Sequence, residues 1–154
     1  MAIENNATIS LPEGFDPDEA LKLKNQLCFP LYAAARKITS AYTPVLKPLG
    51  LTYTQYIVML VLWEEDCQSV SSICEKLMLD SGTITPLLKK LEAEGLVERC
   101  RCKDDERCVR ILLTETGRGL KEKAAAVPLK VGSCMSLAPE EAQQLYTILY
   151  KLLA

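Results

Sequence analysis

The chain has 154 residues, of which 49% are hydrophobic and 25% charged, a balance that suits a folded globular protein and excludes a disordered one. It contains no histidine, which removes Ser-His-Asp catalysis, Cys-His nucleophile pairs and any zinc site with an imidazole ligand. A formal net charge of −2 gives no global sign of nucleic-acid binding, so such a role requires positive charge concentrated locally.

Residues 1–17 lack periodicity and carry Pro12, Gly14 and Pro17, the pattern of an arm. Their polar, acidic character does not match a secretory signal, and every apolar run is interrupted well short of the roughly 20 residues that span a bilayer, so the expected location is cytoplasmic. From Asp18 to Leu46 apolar residues recur at helical spacing: Leu21, Leu27, Leu31, Ala34, Ile38, Tyr42. Pro30 interrupts that run. Either the main helix starts near Phe29 with Pro30 at its first position, or a longer helix kinks there. Both versions set Cys28 beside a helix N-terminus or an irregular turn.

Lys47-Pro48-Leu49-Gly50 ends this element. Thr52 or Thr54 caps the next helix, whose run Tyr56 to Trp63 reads as deeply buried. A short helix from Val70 to Leu79 follows, capped by Ser69, with Ile73, Leu77 and Met78 facing inward. In the segment 79–100, Ile84, Leu87, Leu88 and Leu91 form one apolar stripe, and Gly82, Thr85, Pro86 and Lys89 lie opposite, flanked by Thr83 and Lys90. Pro86 fits only an early turn, so this helix begins near Asp80–Thr83, and Gly95 ends it in a left-handed conformation. Two strands, Val97 to Cys102 and Cys108 to Leu113, close on the charged turn 103–107 as a β-hairpin. Thr114 caps a helix from about Glu115 to about Leu129, and Pro139-Glu140-Glu141 opens a last amphipathic helix carrying Leu145, Ile148, Leu149 and Leu152.

Three helices, a charged hairpin and long terminal helices make a mainly α fold with a small β-hairpin wing, in winged helix-turn-helix order. The expected organisation is an arm over 1–17, an N-terminal helical region over 18–50, a DNA-binding region over 51–117 and C-terminal helices over 118–154. A recognition helix needs one apolar face to dock and a lean polar face to enter a major groove, and the segment Asp80–Ala93 has both. The hairpin adds Arg99, Arg101, Lys103, Arg107 and Arg110 within a dozen residues. An arginine at a hairpin tip suits a narrow minor groove, and Asp105 stands close enough to Arg107 to orient it.

Asp105-x-Arg107, followed by Leu113-Thr114-x-x-Gly117, is similar to the wing signature of the MarR family of regulators. The resemblance implies an obligate homodimer held by its terminal helices on palindromic double-stranded operator DNA. It also implies that Ser81, Thr83, Thr85 and Lys89 face the major groove and that Arg107 enters the minor groove, with Asp105 in support. The stretch 25–66 resembles the OhrR branch, whose members sense organic hydroperoxide through one N-terminal cysteine with two tyrosines hydrogen-bonded to it. The matching positions are Cys28, Tyr32 and Tyr42.

Seven cysteines in a reducing compartment are thiols by default. A helix N-terminus and phenolic donors would supply the thiolate character a sensor needs. Tyr32 is one turn from Cys28, whereas Tyr42 is about 21 Å along a continuous helix at about 1.5 Å per residue. Only the Tyr42 of an antiparallel partner could then reach Cys28, which sets the sensor pocket across a dimer interface. The resemblance further implies that Cys134 of the partner resolves oxidised Cys28 as a disulfide; a mixed disulfide with a small thiol is the alternative. Cys100, Cys102 and Cys108 crowd the wing, but their spacing matches no common zinc site, and no metal or cofactor is expected. A regulator answering to a phenolic ligand or to a metal is the rival in the same class. A thiol peroxidase is the rival enzyme, and it leaves the basic wing without a purpose.

Overall fold

The computed structural model describes residues 12–101, 109–132 and 136–153. The chain divides into two units, residues 1–37 and residues 38–154.

In the first unit Asp16 caps a one-turn helix α1 (Pro17–Ala20), its carboxylate accepting from the amides of Asp18 at 2.9 Å and Glu19 at 3.3 Å. A single 3-10 turn (Leu23–Asn25) follows, and helix α2 (Cys28–Leu46) starts afresh at Cys28. The helical run expected from Asp18 is therefore broken before Pro30. Pro30 sits in the first turn of α2, where its missing N–H costs no intrahelical bond. Leu21, Leu23, Leu27, Phe29 and Tyr32 are all exposed.

The second unit begins with the rest of α2. Leu46 is fully buried, and a 3-10 turn (Lys47–Leu49) ends at Gly50 with φ 71°. Thr52 then opens α3 (Tyr53–Glu64) with a reciprocal capping box: its hydroxyl accepts from the Gln55 amide, and the Gln55 side chain accepts from the Thr52 amide at 2.8 Å. This helix is the core element, with Tyr56, Val58, Met59, Val61, Leu62 and Trp63 buried, and only Leu60 of the expected run is exposed.

Ser69 caps α4 (Val70–Leu77), and Asp80 caps α5 (Ser81–Ala93). Ile73 and Leu77 turn inward as expected, but Met78 does not: it takes the left-handed conformation that ends α4 (φ 53°) and is 64% exposed. Ile84, Leu88 and Leu91 of α5 are buried and Leu87 packs against them. Gly95, at φ 70°, terminates that helix.

The hairpin forms as β2 (Val97–Arg101) and β3 (Val109–Leu113), with Val97 opposite Leu113 and Arg101 opposite Val109. Its expected outer residues, Cys102 and Cys108, and the turn 103–107 lie outside the described residues. A strand that the hydrophobic pattern did not announce, β1 (Gln68–Ser69, preceding α4), pairs with the other edge of β3 and gives the sheet order β1-β3-β2. The helix expected from Glu115 to Leu129 is two: α6 (Glu115–Ala124) and α7 (Val127–Gly132). Pro128 has no N–H for the Ala124 carbonyl, so the first helix ends and Pro128 becomes the second residue of the next. The last helix, α8 (Pro139–Leu153), has no buried residue: Leu145, Tyr146, Ile148, Tyr150 and Leu152 are all 39–61% exposed. Among the described residues no single helix is long and apolar enough to cross a membrane.

Candidate nucleic-acid interface and thiol site

With three apolar residues of α5 sunk in the core, helical periodicity turns Gly82, Pro86 and Lys89 outward, with Ser81 and Thr85 on one side and Thr83 and Lys90 on the other. Ser81, Thr83 and Lys89 are exposed and Thr85 is half-buried. Thr83 also serves the cap: its amide donates to Asp80 Oδ1 at 2.9 Å and its hydroxyl to Oδ2 at 2.8 Å. The hydroxyl proton is thus committed, and its oxygen remains as an acceptor. Pro86 leaves the Gly82 carbonyl without its helical donor on the outward face, where water can serve it.

Hydrogen bonds from the Thr83 hydroxyl and amide hold the Asp80 carboxyl below the usual carboxylate range. A group whose folded-state pKa is depressed contributes stability that is complete above its unfolded value, near 3.9, and is lost as pH falls through the folded value. The expected result is that the Thr83 amide exchanges faster as pH is lowered below about 4, relative to its intrinsic rate, whereas in Asp80→Asn, still an N-cap, the change is absent. An unchanged protection of Thr83 in the native chain down to acid unfolding would remove the cap from this account.

At the base of the wing, Thr114 accepts from the Gly117 amide at 3.0 Å, donates its hydroxyl to the Gly95 carbonyl at 2.7 Å and its amide to the Leu96 carbonyl at 3.1 Å. The start of α6 is thereby stitched to the exit of α5. Gly117 lies against Leu96 so closely that a Cβ there would fall 2.0 Å from the Leu96 carbonyl oxygen. On the other side, the Trp63 indole donates to the Gly117 carbonyl at 2.8 Å, and Lys121 Nζ donates to the Trp63 carbonyl at 2.7 Å. Of the three hairpin cations among the described residues, two are engaged within the chain: Arg99 pairs with Glu92 of α5 at 3.9 Å, and Arg110 donates to the Cys67 carbonyl at 2.9 Å. Arg101 is exposed, and Lys103, Arg107 and Asp105 lie outside the described residues.

In the first unit Cys28 is the first residue of α2, exposed and a free thiol. Tyr32, one turn on, is 59% exposed; Arg36 Nη1 donates to its hydroxyl at 3.2 Å and the guanidinium lies 5.6 Å from its ring centroid. Tyr42 belongs to the second unit, where its ring packs at 4.8 Å from Tyr53 and 5.9 Å from Tyr56, with Trp63 beyond at 6.3 Å from Tyr56. Burial, with Tyr42 beside them, pushes the hydroxyls of Tyr53 and Tyr56 up from their ordinary values. Cys134 lies outside the described residues. A groove of about 500 Å³ runs beside this cluster, its lining including Tyr56, Leu60, Trp63, Glu64, Lys121 and Pro128. Among the described residues no group of cysteines and carboxylates is arranged to hold a metal ion.

Residues 40–124 match the family model of the transcriptional regulators SarA/Rot. The chain belongs to that family. Its relative in Bacillus subtilis, an organic hydroperoxide resistance transcriptional regulator, is 47% identical over 133 residues, covering 86% of this chain and 90% of the relative. AbfR of Staphylococcus epidermidis is 40% identical in three solved states: overoxidised on DNA, reduced on DNA and disulfide-bonded. Its reduced form bound to DNA matches 88% of this chain and 94% of that one with a TM-score of 0.72; its disulfide form matches 89% and 96% with 0.61. A cysteine-to-serine mutant of MarR from E. coli in complex with operator DNA, 24% identical, matches 83% and 94% with a TM-score of 0.76, which speaks for the fold. The mainly α winged-helix architecture and the regulator class expected from residues 105–117 therefore hold, and the relatives of this SarA/Rot regulator are not enzymes.

Two structural residues of this regulator are not among those that the sequence pattern singles out. Gln55 is 3% exposed, and besides its capping bond its Nε2 reaches both Glu94 carboxylate oxygens at 3.2 and 3.3 Å, tying α3 to the end of α5. Asp66 lies just past the end of α3, and its carboxylate accepts from the Leu113 amide of β3 at 2.8 Å. The capping-box spacing Thr52-x-x-Gln55 carried a signal for the first; none pointed to the second.

Proposed function

We propose that this chain is a cytoplasmic repressor that binds palindromic operator DNA as a homodimer and releases it when organic hydroperoxide oxidises Cys28. The observation that carries the proposal is the placement of Cys28, an exposed free thiol at the first residue of α2, in a chain so similar to a hydroperoxide resistance regulator. The existence of AbfR in DNA-bound and disulfide states supports the same two-state cycle.

In this reading Ser81, Thr83, Thr85 and Lys89 of α5 enter the major groove, and Arg107, steadied by Asp105, enters the minor groove. The bare apolar side chains of α8 and of the first unit mark faces that a second copy covers, since exposed apolar surface on this scale is a mark of association. Tyr32 and the partner's Tyr42 donate their hydroxyls to the Cys28 sulfur. The Cys28 thiolate attacks the outer peroxide oxygen, giving a sulfenic acid and, after proton uptake, an alcohol. The thiol of the partner's Cys134 then displaces the sulfenic oxygen as water, and a disulfide joins the two chains. Helix displacement that accompanies this bond alters the spacing of the two α5 helices, which lose register with successive major grooves.

Anisotropy of a labelled operator from the upstream region of the encoding gene tests the proposal. Binding is expected to disappear after equimolar cumene hydroperoxide and to return with dithiothreitol; binding that survives oxidation would sink the redox reading. A phenolic occupant of the 500 Å³ groove is the second reading, favoured if a phenol releases DNA without any thiol chemistry. Lys89→Ala is expected to weaken binding to all sequences alike and to lower the slope of log affinity against log salt by about one per lost phosphate contact. A Lys89→Ala slope equal to the parent's would place Lys89 away from the phosphates.

A further inference from the structure

We infer that Asp66 is the positioning residue of the wing, the side chain that sets the angle at which β3 leaves the domain toward the DNA; this rests on the reading of the wing as a minor-groove element. Strand β1 is only two residues long, pairing Gln68 with Ile111 and Ser69 with Arg110. Counted back along that register, position 66 comes opposite Leu113. The strand has ended by then, and the Asp66 carboxylate takes the place of the missing ladder carbonyl: Oδ1 accepts from the Leu113 amide at 2.8 Å and from the Cys67 amide at 2.7 Å. The other oxygen, Oδ2, accepts from Arg118 Nη1 on α6.

Cys67 completes the clasp. It is held in the left-handed region at φ 61°, costly for a residue with a Cβ, and there its carbonyl accepts from Arg110 Nη1 at 2.9 Å. Residues 66 and 67 thus take β3 at positions 110 and 113 and α6 at position 118. They follow directly on α3, whose Trp63 bonds Gly117 and receives Lys121. On the far side of the sheet, the ion pair from the hairpin to α5 is the longer Arg99–Glu92 contact, at 3.9 Å.

The consequence is a lever. From Leu113 to Val109 the described part of β3 spans about 14 Å, so a tilt of about 10° at Leu113 displaces its Val109 end by about 2.4 Å. That is a large part of the rise of one base pair, about 3.4 Å. The exposed Asp66–Arg118 ion pair by itself contributes little; the effect comes from the two backbone amides whose direction the carboxylate fixes. Asp66 therefore governs which base step the wing meets while leaving α5 undisturbed.

The test compares three operators: the native one, one with A·T pairs exchanged for G·C in the flanks where the wing reads, and one with a base exchanged under α5. The full-length dimer is titrated as parent, Asp66→Asn and Asp66→Ala, with amide exchange of Leu113 recorded alongside. For Asp66→Ala we expect faster Leu113 exchange, about tenfold weaker binding to the native operator and loss of flank discrimination, with discrimination under α5 retained. Asp66→Asn keeps one acceptor oxygen for both amides and drops the Arg118 bond. It is expected to lose about threefold and to carry the test if the alanine variant does not fold. A parent protein blind to the flanks overturns the wing reading and this inference together. A parent that reads the flanks, with variants that read them equally well, overturns the inference alone.

Discussion

Gly117→Ala is expected to cost about 3 kcal/mol or more of stability and to lower the melting temperature by about 10 °C. The single added carbon would stand 2.0 Å from the Leu96 carbonyl oxygen and 3.3 Å from Leu113 Cδ2. The first of these is backbone, fixed by its bond from the Thr114 amide, and cannot step aside as a side-chain end would. Relief requires parting the start of α6 from the exit of α5. That puts at risk the Thr114 bonds to Gly95 and Gly117 and the buried Trp63–Gly117 bond, each contributing about 1 kcal/mol and costing more if an unpaired buried group is left behind. Gly119, two residues along the same helix, is an internal control. A Cβ there meets nothing within 4 Å, so Gly119→Ala is expected to raise stability by about 0.5–1 kcal/mol through helix propensity. Circular dichroism melts of the two variants beside the parent decide the matter, and two equal melting temperatures would dismiss the steric account of Gly117.

This glycine shows what a sequence carries and what it does not. As a letter of the Leu113-Thr114-x-x-Gly117 signature it was legible; its reason was not, because the obstacle belongs to Leu96, across the hairpin in sequence. Short-range signals are legible in the sequence. Thr52, Ser69, Asp80 and Thr114 cap helices as their side-chain chemistry dictates, and Gly95 turns left-handed where α5 must stop. The α5 stripe was legible because burial imposes the helical period directly on the residues.

Failures came where a distant partner decided. Strand β1 has two residues and no periodicity of its own; it exists because β3, some forty residues later, offers an edge. Met78 looked like core by spacing, but the chain uses it to end α4 in a left-handed turn. The break before Pro128 is by contrast a local effect: a proline fits the first turn of a helix and not its interior, so α6 ends and α7 starts afresh there. For the thiol site, the sequence leaves Cys28 beside a helix N-terminus or an irregular turn, and the structure has it as the first residue of α2. The roles proposed for Tyr42 and Cys134 depend on a second chain.

Cys28→Ser is expected to leave operator binding intact and to abolish its response to organic hydroperoxide, whereas the parent loses about 10,000-fold in affinity on oxidation. A hydroxyl at position 28 preserves size and hydrogen bonding but offers no sulfur to carry an oxygen to a sulfenic acid, so the switch is removed while the fold is kept. The magnitude also bears on how release works. Moving a dimer from almost wholly bound to almost wholly free takes about 5.5 kcal/mol of differential stability. A sulfenic oxygen alone changes about one hydrogen bond, typically worth about 1–3 kcal/mol. A disulfide that closes only after the helices have moved can supply the remainder, because the moved state is then held covalently. Cys134→Ser is therefore expected to oxidise at Cys28 yet release DNA only partly, until a small thiol is added and caps the sulfenic acid. Mass spectrometry of the oxidised dimers, read beside anisotropy, separates the routes. Complete release by Cys134→Ser with Cys28 stopped at the sulfenic acid would mean that breaking the hydrogen bonds around the thiolate is sufficient. Release by oxidised Cys28→Ser would move the sensor elsewhere, with the wing thiols the first to examine.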